Sequence, residues 1–144
     1  MSAEYKLLVV EDNRGDVGLL EEAFDGAGLR YALTLFLDGE KALSYVESLS
    51  ERPAEEQPDM LLLDLNLPKI GGLAILEALR RSENGLKIPI VVMTSSASPK
   101  DRDRAVALNV DRHFVKPIEL EDFLKIGVVV KELLEQRTNA PTSH

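Results

Sequence analysis

The chain has 144 residues, a net charge of −8 at pH 7, 44% hydrophobic residues, two histidines and no cysteine. That length suits one domain with one core, while the lack of cysteine excludes disulfides, thiolate metal ligands and thiol redox chemistry, and two histidines argue against a histidine-rich metal site. The acidic balance disfavours nucleic acid as a direct ligand, because such affinity comes mainly from Lys and Arg on phosphates, and it suits a basic patch on a protein partner.

The N-terminal segment Met1-Ser2-Ala3-Glu4-Tyr5-Lys6 lacks the apolar core of a signal peptide. No apolar stretch approaches the roughly 20 residues needed to cross a membrane, so a cytoplasmic protein is expected. Apolar runs then alternate with amphipathic segments. The pattern predicts strands over Lys6–Val10, Ala32–Leu37, Met60–Leu63, Ile88–Met93 and Arg112–Val115. Between and after them it predicts helices over Asp16–Ala27, Gly39–Leu49, Gly72–Arg81, Lys100–Leu108 and Glu119–Gln136. Gly28 can supply a left-handed residue after the first helix. Asp38-Gly39 starts the second helix, and Asp101 can assist the fourth through the helix dipole. Pro68, Pro89 and Pro117 fall at loops or strand edges, where proline is tolerated. Ser48 to Pro58 is polar and contains proline, so an exposed loop is expected there. Residues 1–137 form the domain in this reading, and Thr138 to His144 form a polar, disordered tail. Strict alternation of strand and helix argues for an α/β fold, a parallel sheet with helices on both faces.

Polar residues end two of the apolar runs and follow two others. Glu11-Asp12 follows Leu7-Leu8-Val9-Val10, Asp64 ends Met60-Leu61-Leu62-Leu63, Thr94 ends Ile90-Val91-Val92-Met93 and Lys116 follows Phe114-Val115. Open α/β sheets place their reactive groups at the carboxyl ends of strands. Each residue alone has an ordinary explanation: a cap, a turn or a strand exit. Together they form a set. Three carboxylates brought close repel one another unless a cation intervenes, and Mg²⁺ is the natural one because it prefers oxygen ligands and often bridges carboxylate to phosphate. Asp12 and Asp64 could supply side-chain oxygens, Asn66 a backbone carbonyl, and Glu11 a contact through water. Lys116 could pair with Asp64 at rest and with a phosphoryl group afterwards. A carboxylate nucleophile, a divalent ion, a lysine and a hydroxyl fit an aspartyl-phosphate intermediate.

The motifs Val10-Glu11-Asp12-Asn13, Leu63-Asp64-Leu65-Asn66-Leu67-Pro68 with Gly72 beyond, Met93-Thr94-Ser95 and Val115-Lys116-Pro117 resemble those of bacterial two-component receiver domains. The resemblance covers nearly the whole chain. It implies a doubly wound, flavodoxin-like sheet of five strands in the order 2-1-3-4-5. It also implies that Asp64 takes a phosphoryl group from a sensor histidine kinase with Mg²⁺ present, that Thr94 and Lys116 hold the phosphoryl oxygens, and that output runs through binding to another protein. Val10-Glu11-Asp12-Asn13, Asp38-Gly39-Glu40-Lys41-Ala42-Leu43, Asn66-Leu67-Pro68-Lys69 and the long polar loop before Asp59 resemble, more narrowly, stand-alone regulators that partner phytochrome histidine kinases, many of them dimers.

Two departures stand out. Many receivers carry Asp-Asp where this chain has Glu11-Asp12, and many carry Tyr or Phe where it has His113. An aromatic at that place changes rotamer when the hydroxyl moves; a switching His113 would respond to pH, since its unperturbed pKa lies near 6.5. Phe114 is expected on the opposite sheet face. Asn66 and Ser96 flank the path of attacking water in the family and are expected to influence phosphoryl lifetime. On the last helix, Leu120, Phe123, Leu124, Val130 and Leu134 are expected to face the sheet, leaving Ile126, Val129 and Leu133 as a second apolar stripe, a candidate homodimer interface. Three other functions compete. A Mg²⁺-dependent aspartyl phosphatase would want an acid two residues after the nucleophile, where this chain has Asn66. A flavodoxin-like cofactor binder would want a Gly, Ser or Thr-rich phosphate loop after the first strand. A degenerate receiver would lack acceptor residues, and none is lacking.

Overall fold

The computed structural model describes residues 4–67, 70–82, 88–95 and 99–139. Its sheet contains β1 (Tyr5–Val10), β2 (Tyr31–Phe36), β3 (Met60–Asp64), β4 (Ile90–Thr94) and β5 (Arg112–Val115), all parallel, in the order β2-β1-β3-β4-β5. Helices α1 (Arg14–Gly26), α2 (Gly39–Ser48), α3 (Gly72–Arg81) and α4 (Pro99–Ala107) connect successive strands, and α5 (Leu120–Leu124) and α6 (Ile126–Asn139) follow β5. This is the doubly wound arrangement that the alternating pattern and the motif resemblance imply.

Burial explains why the strands read as unbroken apolar runs. Side chains on successive strand residues point to opposite faces, and both faces are covered. Leu8, Val10, Leu61, Leu63, Ile90 and Val92 pack with Ala42, Val46, Ile75, Leu76 and Leu79 on one side. Leu7, Val9, Met60, Leu62, Val91 and Met93 pack with Leu20, Phe24, Phe123, Ile126 and Val130 on the other. Burial on both sides removes the polar alternation that a half-solvated strand would show.

Helix starts have local causes. Asn13 caps α1, its side-chain oxygen accepting from the Asp16 N–H at 3.1 Å, and Asp38 caps α2 by accepting from Glu40 N–H at 2.7 Å. Each satisfies an N–H that the helix itself leaves without an acceptor. Gly28 follows α1 with φ +76°, the left-handed conformation expected of it. Gly72 opens α3 against β3: a Cβ there would lie 2.5 Å from the Asp64 carbonyl oxygen. Only a glycine lets α3 begin that close to the strand end.

Four expectations need correction or bounding. The stretch Ser48 to Pro58 is not simply an exposed loop. It holds two short 3₁₀ turns, Leu49–Glu51 and Ala54–Glu56, and buries Leu49 and Pro58. The Gln57 amide fastens it by donating to the carbonyls of Leu49 and Arg52 at 2.6 and 3.0 Å. The tail starts later than expected, since Thr138 and Asn139 are helical; residues 140–144 lie outside the described residues. Pro68, Lys69, Ser96 and the side chain of Asp101 also lie outside them.

The second apolar stripe is the largest correction. Ile126 is 0% exposed and Leu133 7% exposed, and Val129 is half-buried against the same core. They therefore do not form an outward interface. The predicted single helix breaks at Lys125, and at roughly 100° per residue Phe123, Ile126, Val130, Leu133 and Leu134 occupy one continuous arc. Gly127 borders that arc and seats α6 on α1, where any Cβ would collide with the Ala23 carbonyl. Leu120, expected inside, is 49% exposed.

Candidate functional site

The strand register brings the singled-out residues to one rim. Val10 pairs with Leu63, Asp64 with Met93 and Thr94 with Val115, so Glu11, Asp12, Asp64, Thr94 and Lys116 all fall at the carboxyl edge of the three central strands and β5. Backbone bonds continue the sheet just past them: the Leu65 N–H donates to the Met93 carbonyl at 2.8 Å, and the Lys116 N–H donates to the Thr94 carbonyl at 2.8 Å.

The acids converge. One oxygen from each of Glu11, Asp12 and Asp64 can be chosen so that all lie within 4.8 Å of one another. Glu11 and Asp64 are buried, Asp12 is exposed at the mouth and Thr94 is buried. Asp64 Oδ1 accepts from the Asn66 N–H at 2.8 Å, a turn that fixes its carboxylate, while Oδ2 lies 3.2 Å from the Lys116 ammonium. Glu11 accepts from the Asn13 N–H at 3.0 Å through one oxygen and from Lys116 at 2.7 Å through the other.

The electrostatics follow from this crowding. Burial pushes the Glu11 carboxyl up to about 7, and the neighbouring Asp64 charge adds to the rise; Lys116 and the Asn13 N–H oppose it. Lys116 is pulled the other way. Burial disfavours its charge, but hydrogen bonds to Asp16 and Glu11 outweigh that and raise its pKa. The carboxylates of Glu11, Asp16 and Asp64 thus meet the Lys116 ammonium, and Asp12 adds a fourth carboxylate beside Glu11 and Asp64. The oxygen-only donor set and its uncompensated negative charge fit a hard divalent cation such as Mg²⁺.

Two contributions were not read from the sequence. Asp16 places its carboxylate 2.8 Å from Lys116. Its only signal was an acid in the first turn of α1, an ordinary place for one. Asn66 acts through its side chain as well: Oδ1 accepts from Thr94 Oγ1 at 2.7 Å, from the Ser95 N–H at 2.9 Å and from Ser95 Oγ at 3.3 Å. His113 is half-buried with its Nε2 shielded from solvent, and pairs in register with Val92, which puts it on the sheet face shared with Thr94. Phe114 points to the opposite face as expected, edge-on to Phe123 at 6.1 Å.

Comparison with known proteins gives the same answer as this geometry. The family described as response regulator receiver domain matches residues 7–126. The probable methanogenesis regulatory protein FilR2 of Methanothrix harundinacea is 37% identical over 126 residues, 88% of this chain and 81% of its own length. Response regulator Rcp1 of Synechocystis is 30% identical over 120 residues, 83% and 82% of the two chains. The solved Mn²⁺-bound form of Rcp1 superposes with a TM-score of 0.78 at 26% identity, covering 97% of this chain and 99% of that one. The phosphorylated cyanobacterial phytochrome response regulator RcpA superposes with a TM-score of 0.82 at 28% identity, covering 97% of this chain and all of the other. By sequence, fold and the residues gathered at its sheet edge, the chain belongs to the response regulator receiver domain family.

Proposed function

We propose that this receiver accepts a phosphoryl group on Asp64 from the phosphohistidine of a sensor kinase and passes the signal on by binding another protein. The observation that supports it best is the Asp64 carboxylate, buried and held by the Asn66 N–H and by Lys116 at 2.8 and 3.2 Å, beside Glu11 and Asp12. In the transfer, an Asp64 oxygen attacks phosphorus. The new O–P bond forms as the P–N bond to the kinase imidazole breaks, and the imidazole leaves with the electron pair and takes up a proton. The side chains of Asp12 and Asp64 and the Asn66 carbonyl would hold Mg²⁺, with Glu11 reaching it through water. When bound, the ion would neutralise charge on the carboxylate and the phosphoryl oxygens. Lys116, already beside Asp64, is placed to meet one phosphoryl oxygen, and the Thr94 hydroxyl another once it leaves Asn66. Asn66 offers no acid two residues after Asp64, which counts against a phosphatase.

A phytochrome-type histidine kinase as the partner is supported by the likeness to Rcp1 and to RcpA, whose described role is that of a phytochrome response regulator. His113 takes the place of the aromatic switch. Its face of the sheet is that of Thr94, so inward movement of the hydroxyl would open room for the imidazole. The test is incubation with acetyl phosphate and Mg²⁺, read by intact mass. One phosphoryl group should appear on the unaltered protein and none on Asp64→Asn; labelling that survives in Asp64→Asn sinks the assignment. For the switch, His113→Tyr should change how strongly phosphorylation alters partner binding.

A further inference from the structure

Lys116 has a partner that the metal cluster does not include. Its ammonium lies 2.7 Å from Glu11, 2.8 Å from Asp16 and 3.2 Å from Asp64. Glu11 and Asp64 belong to the triad that could hold a divalent ion, whereas Asp16 stands outside it. An ion entering the triad and the ammonium would therefore draw on the same two carboxylates, and two cations sharing oxygens repel each other. The Asn13 cap fixes the first turn of α1 so that Asp16 reaches across to the end of β5. The pair is sheltered, with the Lys116 side chain 12% exposed and that of Asp16 22% exposed. A sheltered ion pair is strong enough to matter where an exposed one would contribute little.

We propose that Asp16 is a positioning residue that takes over the Lys116 ammonium when a divalent ion occupies the Glu11, Asp12 and Asp64 triad, so that ion and lysine share the site. The role rests on the phosphoacceptor reading, since the ion and the lysine serve that transfer. Asp16 itself touches neither ion nor phosphoryl group; it acts through Lys116. Without it, the ammonium falls back onto Glu11 and Asp64 and competes with the ion.

A double-mutant cycle tests this with Mg²⁺ binding measured by titration calorimetry on the unaltered protein, Asp16→Asn, Lys116→Met and the double variant. Asp16→Asn should weaken Mg²⁺ binding roughly tenfold where Lys116 is present, and by less than about twofold in the Lys116→Met background. Asp16→Ser, which also removes the charge, should behave the same way. Equal weakening in both backgrounds would mean that Asp16 acts on the ion as a distant charge, and overturns its positioning role while leaving the phosphoacceptor reading intact. No weakening beside Lys116 overturns it equally. An unaltered protein that binds no Mg²⁺ at millimolar concentration instead overturns the phosphoacceptor reading together with the role built on it.

Discussion

The centre of the sheet and its β5 edge hold the site by different physics. Every residue of β3 and β4 is buried, so Asp64 and Thr94 are delivered by strands that close packing locks on both faces. β5 has no fully buried residue: Arg112 and Val115 are exposed and His113 and Phe114 half-buried, with Val115, just before Lys116, 43% exposed. Packing therefore does little to fix Lys116, and ion pairs to Glu11, Asp16 and Asp64 do it instead. The difference teaches which half of the site responds to charge. The acceptor and the hydroxyl stay put when charges change, whereas the lysine is held by charges and moves with them.

Core truncation tests the packed half and carries the largest expected effect. Leu62 is fully buried in β3, so Leu62→Ala should lose about 3–5 kcal/mol, the usual cost of a core leucine plus its cavity. Val115→Ala on the edge should stay within about 0.5 kcal/mol. Urea unfolding of both measures the contrast, and similar losses would erase it. Next comes Gly72→Ala. Its new Cβ would press on the Asp64 carbonyl and the Leu65 backbone, so α3 or the end of β3 must shift. The expected loss is about 1–3 kcal/mol, with slower uptake of phosphoryl from acetyl phosphate, because the displaced backbone carries the acceptor.

The packed half was the legible half. Both-face burial writes itself into the sequence as apolar runs, and the residue ending each run stands out, so Glu11, Asp64, Thr94 and the rim itself were readable. The charge-held half was legible only in part: Lys116 and its pairing with Asp64 were readable, but the third acid that holds it was not. Asp16 sits in an amphipathic helix where an acid in the first turn is ordinary, and its partner lies 100 residues away in sequence. The same distance defeated the reading of α6. The apolar residues Ile126 and Leu133 looked like a second stripe because nothing in the sequence announces that Gly127 lets α6 close on α1. Local pattern gives the period of a helix, but the contact that sets which arc is buried is long-range.

Asn66 spans the two halves. Removing its side chain in Asn66→Ala leaves the Thr94 hydroxyl and the Ser95 N–H without the oxygen they share. Because Ser95 is exposed, water replaces part of what is lost, and the cost should be about 1 kcal/mol in urea unfolding. That places it below Gly72→Ala and above any edge truncation.

A pH dependence isolates the charge-held half. Glu11 titrates near 7 in the folded, metal-free protein against an ordinary value of 4.5. A raised acid binds its proton more tightly when folded. Its contribution to stability is thus fully present below its unfolded pKa and lost as pH rises through about 7. Mg²⁺ in the triad favours the ionised carboxylate and reverses that loss. The gain in melting temperature on adding Mg²⁺ should therefore grow from about pH 5 to about pH 8, with up to one proton released per ion bound. Calorimetry in buffers of different ionisation enthalpy counts that proton. Glu11→Gln should remove the release while leaving the cost of Leu62→Ala unchanged, since the packed centre does not depend on the charge of Glu11. A proton release that persists in Glu11→Gln would move the titrating group elsewhere in the cluster.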